Sequence, residues 1–288
     1  MNTSAKICFG AMVVLTSLGV LPASAETVAI FGAPDETLTE MPSRDHSAAF
    51  VSSGWYYTHI EEGTKIKVSG SYPRSGNGSI SFDAPENGRA DIEFVSGAAL
   101  VDGSYVSTIS LGAFSGLTSM SYDWYRSPLS SASPAQHPSL RVLLDRDGSL
   151  TTTNDRGGLI FERAYNNLAT PVDQWVTDVV SANTRIWNTG FDFGSEFDID
   201  FNGDAFDSNL FSWQAFLPDA AVIGFSAGVG GGWNSFSGAV DNISWTLNGV
   251  ASTSNFELIP NEVSEPETLS LILSSLVALA MVNRREPR

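Results

Sequence analysis

Short alternating segments, each closed off by turn residues, recur along most of this chain and constrain its fold more than any other feature. Strand-like stretches are expected at 65–69, 79–83, 90–95, 119–125, 139–145, 158–163, 175–180, 221–227, 239–247 and 255–258. In Ser139-Leu140-Arg141-Val142-Leu143-Leu144 and Ala90-Asp91-Ile92-Glu93-Phe94, alternation predicts one apolar and one polar face. Ser75-Gly76-Asn77-Gly78, Glu86-Asn87-Gly88, Asp102-Gly103, Asp147-Gly148 and Gly230-Gly231-Gly232 supply turn chemistry between segments. With 26 Gly and 13 Pro, a helical bundle is excluded. Only one internal stretch reads as helical, capped by Ser208 and running through Phe216, with Leu210, Phe211 and Leu217 on a common face before Pro218. The expected fold is all-β: an antiparallel two-sheet jelly-roll sandwich over roughly residues 50–258, with one short helix near 208–217. Residues 26–63 pattern weakly and read as an extended edge or an N-terminal strand pair. No linker divides the body, and no repeat period suggests a propeller or solenoid.

Both ends of the chain depart from that pattern. Lys6, the apolar stretch Ile7–Leu21 and Pro22-Ala23-Ser24-Ala25 have the order of a secretory signal peptide, with cleavage expected after Ala25. The single cysteine, Cys8, lies inside that segment, so the exported chain is expected to carry no disulfide and no cysteine metal site. At the other end Val263-Ser264-Glu265-Pro266-Glu267 precedes the apolar run Thr268–Val282 and then Asn283-Arg284-Arg285-Glu286-Pro287-Arg288. A run of that length spans roughly 22 Å as a helix, short of a ~30 Å hydrocarbon core, so it suits transient membrane insertion with its arginines on the cytoplasmic side.

The motif, apolar helix and arginine cluster of residues 263–288 resemble the PEP-CTERM sorting tail of Gram-negative bacteria, Ser264 replacing the first proline while Glu265-Pro266 stands. The resemblance implies an exosortase-type processing partner acting on Ser264, Glu265 and Pro266, with Arg284 and Arg285 as the terminal cluster. It also implies delivery to the cell surface or the exopolysaccharide matrix. The order Ser139–Asp145, Asp155–Glu162, Gly224–Gly228, Gly232-Trp233, Gly238–Ile243 and Asn255-Phe256-Glu257 is similar to the laminin-G-like or concanavalin-like bodies of secreted proteins with such tails. The expected organisation is therefore a signal peptide at 1–25, a β-sandwich at 26–262 and a sorting tail at 263–288.

Function is less legible. Acids outnumber bases 32 to 15, for a net charge of −17, which excludes a nucleic-acid partner held by phosphate contacts. Glu196-Phe197-Asp198-Ile199-Asp200 places three carboxylates on one face if it is a strand, and resembles the catalytic signature of laminarinase-type β-glucanases. There the acid/base glutamate is replaced by Asp200, one methylene shorter, so no catalytic residue is assigned. The same acid-rich stretch offers a calcium site at Asp198, Asp200 and Asp204, with Asn202-Gly203 as its turn. Asp145-Arg146-Asp147-Gly148 is a second calcium candidate or a plain hairpin turn. No other cofactor is expected. His46, His59 and His137 lack ligand spacing and read as surface or packing residues. Trp124 and Trp245 alternate inside strands and are expected in the core. Trp187 and Trp233 stand beside Asn188 and Asn234 near turns, and are the candidates for stacking on sugar rings. The expectation is a non-catalytic glycan-binding or matrix-organising protein. The alternatives are a structural surface component without a pocket, or a β-glucan hydrolase using Glu196 and Asp198.

Overall fold

The computed structural model describes residues 26–32, 53–101 and 104–259. Within them sixteen strands form two large sheets and a small ribbon, with one α-helix. Sheet one has seven strands: β1 (Glu26–Gly32), β3 (Lys65–Val68), β4 (Ile80–Ala84), β9 (Leu117–Arg126), β12 (Trp175–Val180), β15 (Phe236–Leu247) and β16 (Val250–Leu258). Sheet two runs in the order β13 (Trp187–Gly190), β11 (Arg156–Phe161), β10 (Ser139–Asp145), β14 (Ala221–Val229), β5 (Arg89–Val95) and β2 (Trp55–Glu61), with β8 (Gly112–Ala113) on the start of β14. β6 (Ala99–Val101) and β7 (Ser104–Val106) make the ribbon. This is the expected β-sandwich. Its one parallel pairing among the described strands, β1 on β16, makes the weakly patterned start of the body an edge strand.

The sheets pack through large aromatic side chains. Trp245 of sheet one stacks on Phe225 of sheet two, centroids 4.3 Å apart and planes at 14°. Trp55 of sheet two meets Phe256 of sheet one edge-on at 5.1 Å, and its Nε1 donates to Ser254 Oγ at 3.0 Å. A buried indole keeps its apolar payload only when its N–H finds a partner, and this contact supplies one across the two layers. Trp124 is fully buried as expected, its Nε1 donating to Asp178 Oδ2 at 2.7 Å.

Sheet one branches along β15, which pairs with β4 through Phe236–Val240 and with β16 through Ile243–Leu247. Asp241 and Asn242 sit at the fork, Asn242 at φ 49. Asp241 is fully buried; its Oδ1 accepts from the N–H of Asn242 (2.8 Å) and Phe256 (2.9 Å), and its Oδ2 from that of Ser75 (3.4 Å). Burial nonetheless pushes its carboxyl up to about 7.

Two local expectations change. The helix α1 (Leu210–Phe216) is capped by Asn209, whose Oδ1 accepts from Ser212 N at 2.9 Å, rather than by Ser208. Its buried face is Leu210, Trp213 and Leu217, while Phe211 is 66% exposed, because one step along a helix turns the side chain about 100°, off the face those three share. In β5, Asp91 belongs to the polar register yet is buried. Arg141 reaches it across Gly228, where a Cβ would come within 2.1 Å of Asp91 Oδ1, and His59 Nδ1 lies 3.0 Å away. Arg141, His59 and Arg89 hold the Asp91 carboxyl far below the usual range, against the opposing effect of burial.

Candidate functional site

One end of sheet two opens into a cleft of about 330 Å³. Register puts its walls together: Leu140 of β10 faces Phe161 of β11, and Ile160 faces Trp187 of β13. His137, just before β10, Glu162, just after β11, and Trp187 therefore emerge side by side. Trp233 reaches them from the turn between β14 and β15. Its carbonyl accepts the Asn87 N–H at 2.7 Å, so the β4–β5 turn holds it in place.

The floor of the cleft is built around His137. Its Nε2 accepts the Arg163 N–H at 2.8 Å and its Nδ1 donates to the Pro138 carbonyl at 2.7 Å, fixing a neutral tautomer. Burial, reinforced by the positive charge of Arg163 and Arg126, drives its pKa down to about 3 despite the Pro138 bond. Arg126 clamps the loop carrying Gln136 through the carbonyls of Ala132 (2.6 Å), Ser133 (2.7 Å) and Gln136 (2.7 Å). Arg163 is neutralised by Asp178 beneath. Histidine here packs and positions, as its spacing suggested.

The aromatic wall is Trp187 and Tyr165, both half-buried, with Phe206 behind them. Tyr165 stacks on Phe206 at 4.3 Å and 12°, and Trp187 meets it edge-on at 5.7 Å. Trp187 Nε1 is buried with no hydrogen-bond partner among the described residues. Glu162 and Glu196 supply acceptors. Burial raises Glu162, opposed by Arg141; burial and the surrounding negative charges raise Tyr165. Glu196 owes its place to Asn188, which is fully buried. Asn188 O accepts the Glu196 N–H at 2.9 Å, Asn188 Nδ2 donates to Gly194 O at 2.6 Å, and Asn188 Oδ1 accepts from Phe197 N at 2.6 Å. The chain bends back over this clamp with Glu196 at φ 55.

That bend decides between strand and loop at Glu196–Asp200: the three carboxylates would share a face only on a strand, and none forms here. The segment is loop, and Glu196 turns to the cleft while Asp198 and Asp200 belong to a separate network. Asp198 Oδ1 accepts from Asp200 N (3.2 Å) and Oδ2 from Gly203 N (2.7 Å). Asp200 Oδ1 accepts from Asn202 N at 3.3 Å, and Asp204 Oδ1 from Phe206 N at 2.9 Å. The Gly203 N–H lowers the Asp198 pKa, and the neighbouring Asp198 raises that of Asp200. These turns order the loop that carries Phe206 to Trp187.

The two nominated tryptophans thus share one cleft with Gln136, Glu162, Tyr165 and Glu196, of which only Glu196 was singled out from sequence. Ala25, Ser264, Glu265, Pro266, Arg284, Arg285 and His46 lie outside the described residues. Among the described residues no helix is long and apolar enough to cross a membrane.

No protein-family model and no curated protein matches the chain. Three solved carbohydrate-binding modules are similar in fold. One, from work on promiscuous specificity in the β-sandwich superfamily, is 9% identical with a TM-score of 0.33; the match covers 67% of this chain, which spans only 57% of that one. A family 11 module from Clostridium thermocellum, solved with a β-1,3-1,4-mixed-linked tetrasaccharide, is 13% identical over 71% of this chain and 91% of its own, TM-score 0.36. TmCBM61, solved with β-1,4-galactotriose, is 9% identical over 65% and 86%, TM-score 0.28. At these values the likeness carries no argument about ligand.

Proposed function

We propose that this chain is an exported, non-catalytic glycan-binding protein of the cell surface or exopolysaccharide matrix. The observation that carries the reading is the meeting of Trp187 and Trp233 in one cleft with Gln136, Glu162 and Glu196. Sugar rings have apolar faces that stack on flat aromatics and hydroxyls that need a few fixed polar partners, and the cleft offers both. Export rests on the signal-peptide order ending at Ala25 and on the tail, where an exosortase-type partner acts at Ser264-Glu265-Pro266. The net charge of −17 suits that destination, since it opposes adhesion to anionic lipid.

A glycan array with the purified protein tests the cleft. Binding is expected, and Trp187→Ala and Trp233→Ala should each weaken it about tenfold, roughly 1.4 kcal/mol. An array with no binding overturns the reading in favour of a structural component without a ligand. Mass spectrometry of the protein from an exosortase-bearing host tests export, the expected mature start being Glu26.

One observation favours a second reading. Glu162, raised by burial, shares the cleft with Glu196, and two carboxyl groups in unlike environments are the minimum for glycoside hydrolysis. Release of reducing sugar that disappears in Glu162→Gln would establish the enzyme and remove the non-catalytic assignment.

A further inference from the structure

At the opposite end of the β10–β11 hairpin, Asp145 closes β10, Asp147 lies in the turn and Asp155 immediately precedes β11. One carboxylate oxygen from each lies within 4.8 Å of the others. Asp145 is fully buried; its Oδ2 accepts from Arg156 Nε at 3.0 Å, but its Oδ1 has no hydrogen-bond partner among the described residues. A buried carboxylate oxygen without a donor is costly unless something cationic completes it. From this convergence we infer that Asp145, Asp147 and Asp155 hold a calcium ion.

Charge, chemistry and size agree on the cation. Three carboxylates against the single guanidinium of Arg156 leave a surplus of two negative charges, since the other nearby arginine, Arg146, is turned to Asp192. All the donors are oxygen, which selects a hard cation over zinc or copper. Calcium–oxygen bonds of about 2.3–2.6 Å bridge oxygens up to roughly 5 Å apart, whereas magnesium at about 2.0–2.1 Å spans only about 4 Å. Beside the cluster lies a hollow of about 490 Å³ lined in part by Asp147, Thr152, Asn154, Asp155 and Asp219. It gives room for the further oxygens and waters that a coordination number of six to eight requires. The ion would fasten the long turn between β10 and β11, which the sequence offers either as a metal loop or as a simple hairpin connection.

Calcium titration of the full chain, followed by calorimetry and thermal melting, tests the site. Calcium chloride is expected to raise the melting temperature by several degrees and magnesium chloride at equal concentration to do so much less. Asp147 is exposed, so Asp147→Asn should melt like the parent without calcium yet bind calcium at least tenfold more weakly. Asp145→Asn also disturbs Arg156 and serves only as a second reading of affinity. Asp200→Asn, in the acidic loop near the cleft, should leave calcium binding unchanged. Absence of calcium binding by the parent chain, or calcium affinity that survives Asp147→Asn, overturns the assignment. Loss in Asp200→Asn instead would move the ion to that loop.

Discussion

β10 leaves His137 at one end and runs out on Asp145 at the other, and its two ends treat polar groups in opposite ways. At the first, every bond to His137 comes from a neutral group: the Arg163 N–H, the Pro138 carbonyl and the Tyr122 hydroxyl at 3.1 Å. At the second, three carboxylates converge with one guanidinium among them. The same two strands in one unbroken register support both. What differs is the connecting chain, an aromatic- and amide-rich set of loops on one side and an aspartate-rich turn on the other. Seven residues of strand separate the ends by about 20 Å, beyond the ~8 Å screening length of physiological salt, so each end answers to its own surroundings.

The largest test of that contrast is the pH dependence of stability. His137 in the folded chain titrates at about 3, below the ~6.5 of an unfolded histidine, so the unfolded chain takes up a proton that the folded one refuses. Its contribution is present above pH 6.5 and is lost as pH falls toward 3. Asp241 works the other way: folded at about 7 against ~3.9 unfolded, it stabilises below pH 4 and loses that contribution as pH rises through 7. Each effect is on the order of 4 kcal/mol across its window. Urea midpoints between pH 4 and 6.5 should therefore rise more steeply with pH in Asp241→Asn than in the parent, and less steeply in His137→Gln. The opposite signs would remove the neutral-histidine account of the cleft floor.

Next in size is the stability of the two ends at neutral pH. His137→Ala leaves the buried Arg163 N–H unpaired and opens a void beside Trp124, 5.0 Å away ring to ring, so it should cost about 3 kcal/mol. Asp147→Asn without calcium should cost less than about 0.5 kcal/mol. Equal costs from denaturant titration would erase the distinction between a packed end and an electrostatic one. A smaller effect sharpens it: raising sodium chloride from 0.05 to 0.5 M should weaken calcium binding severalfold and leave glycan affinity within about twofold. Smallest of all, Trp187→Ala and Asp147→Asn should combine additively in stability, within about 0.5 kcal/mol. A larger coupling term would mean that the hairpin transmits strain between its ends.

How much of this was legible depends on whether the signal is local. β9, β10, β12, β14 and β15 show in the sequence because alternation and flanking turns are properties of single segments. β13, four residues of Trp187-Asn188-Thr189-Gly190, is too short to show a period, and its existence rests on pairing with β11. Glu196–Asp200 misleads for the reverse reason: acids alternating with Phe and Ile imitate a half-buried strand. The positive φ of Glu196 and Phe201, together with side chains that accept from their own loop's N–H groups, breaks the run. Trp187 and Trp233 could be singled out by the asparagines beside them, although Asn188 lies in strand β13 and not in the turn its sequence suggests. Glu162, Tyr165 and Gln136 carry no such mark, since only the register of Leu140 with Phe161 and of Ile160 with Trp187 brings them to the cleft.

The parallel pairing of β1 with β16 has a mechanical consequence. Its rungs run in step from Glu26 beside Ser252 to Gly32 beside Leu258, so Glu26 and Leu258 lie at opposite ends of the pair. A tensile load between those two residues acts along the strand axis and strains all the interstrand rungs together in shear, instead of peeling them one by one. On its other flank β16 is held by β15 through Ile243–Leu247, so a pull entering at Leu258 is divided between two neighbours before it reaches the sheet that carries the cleft.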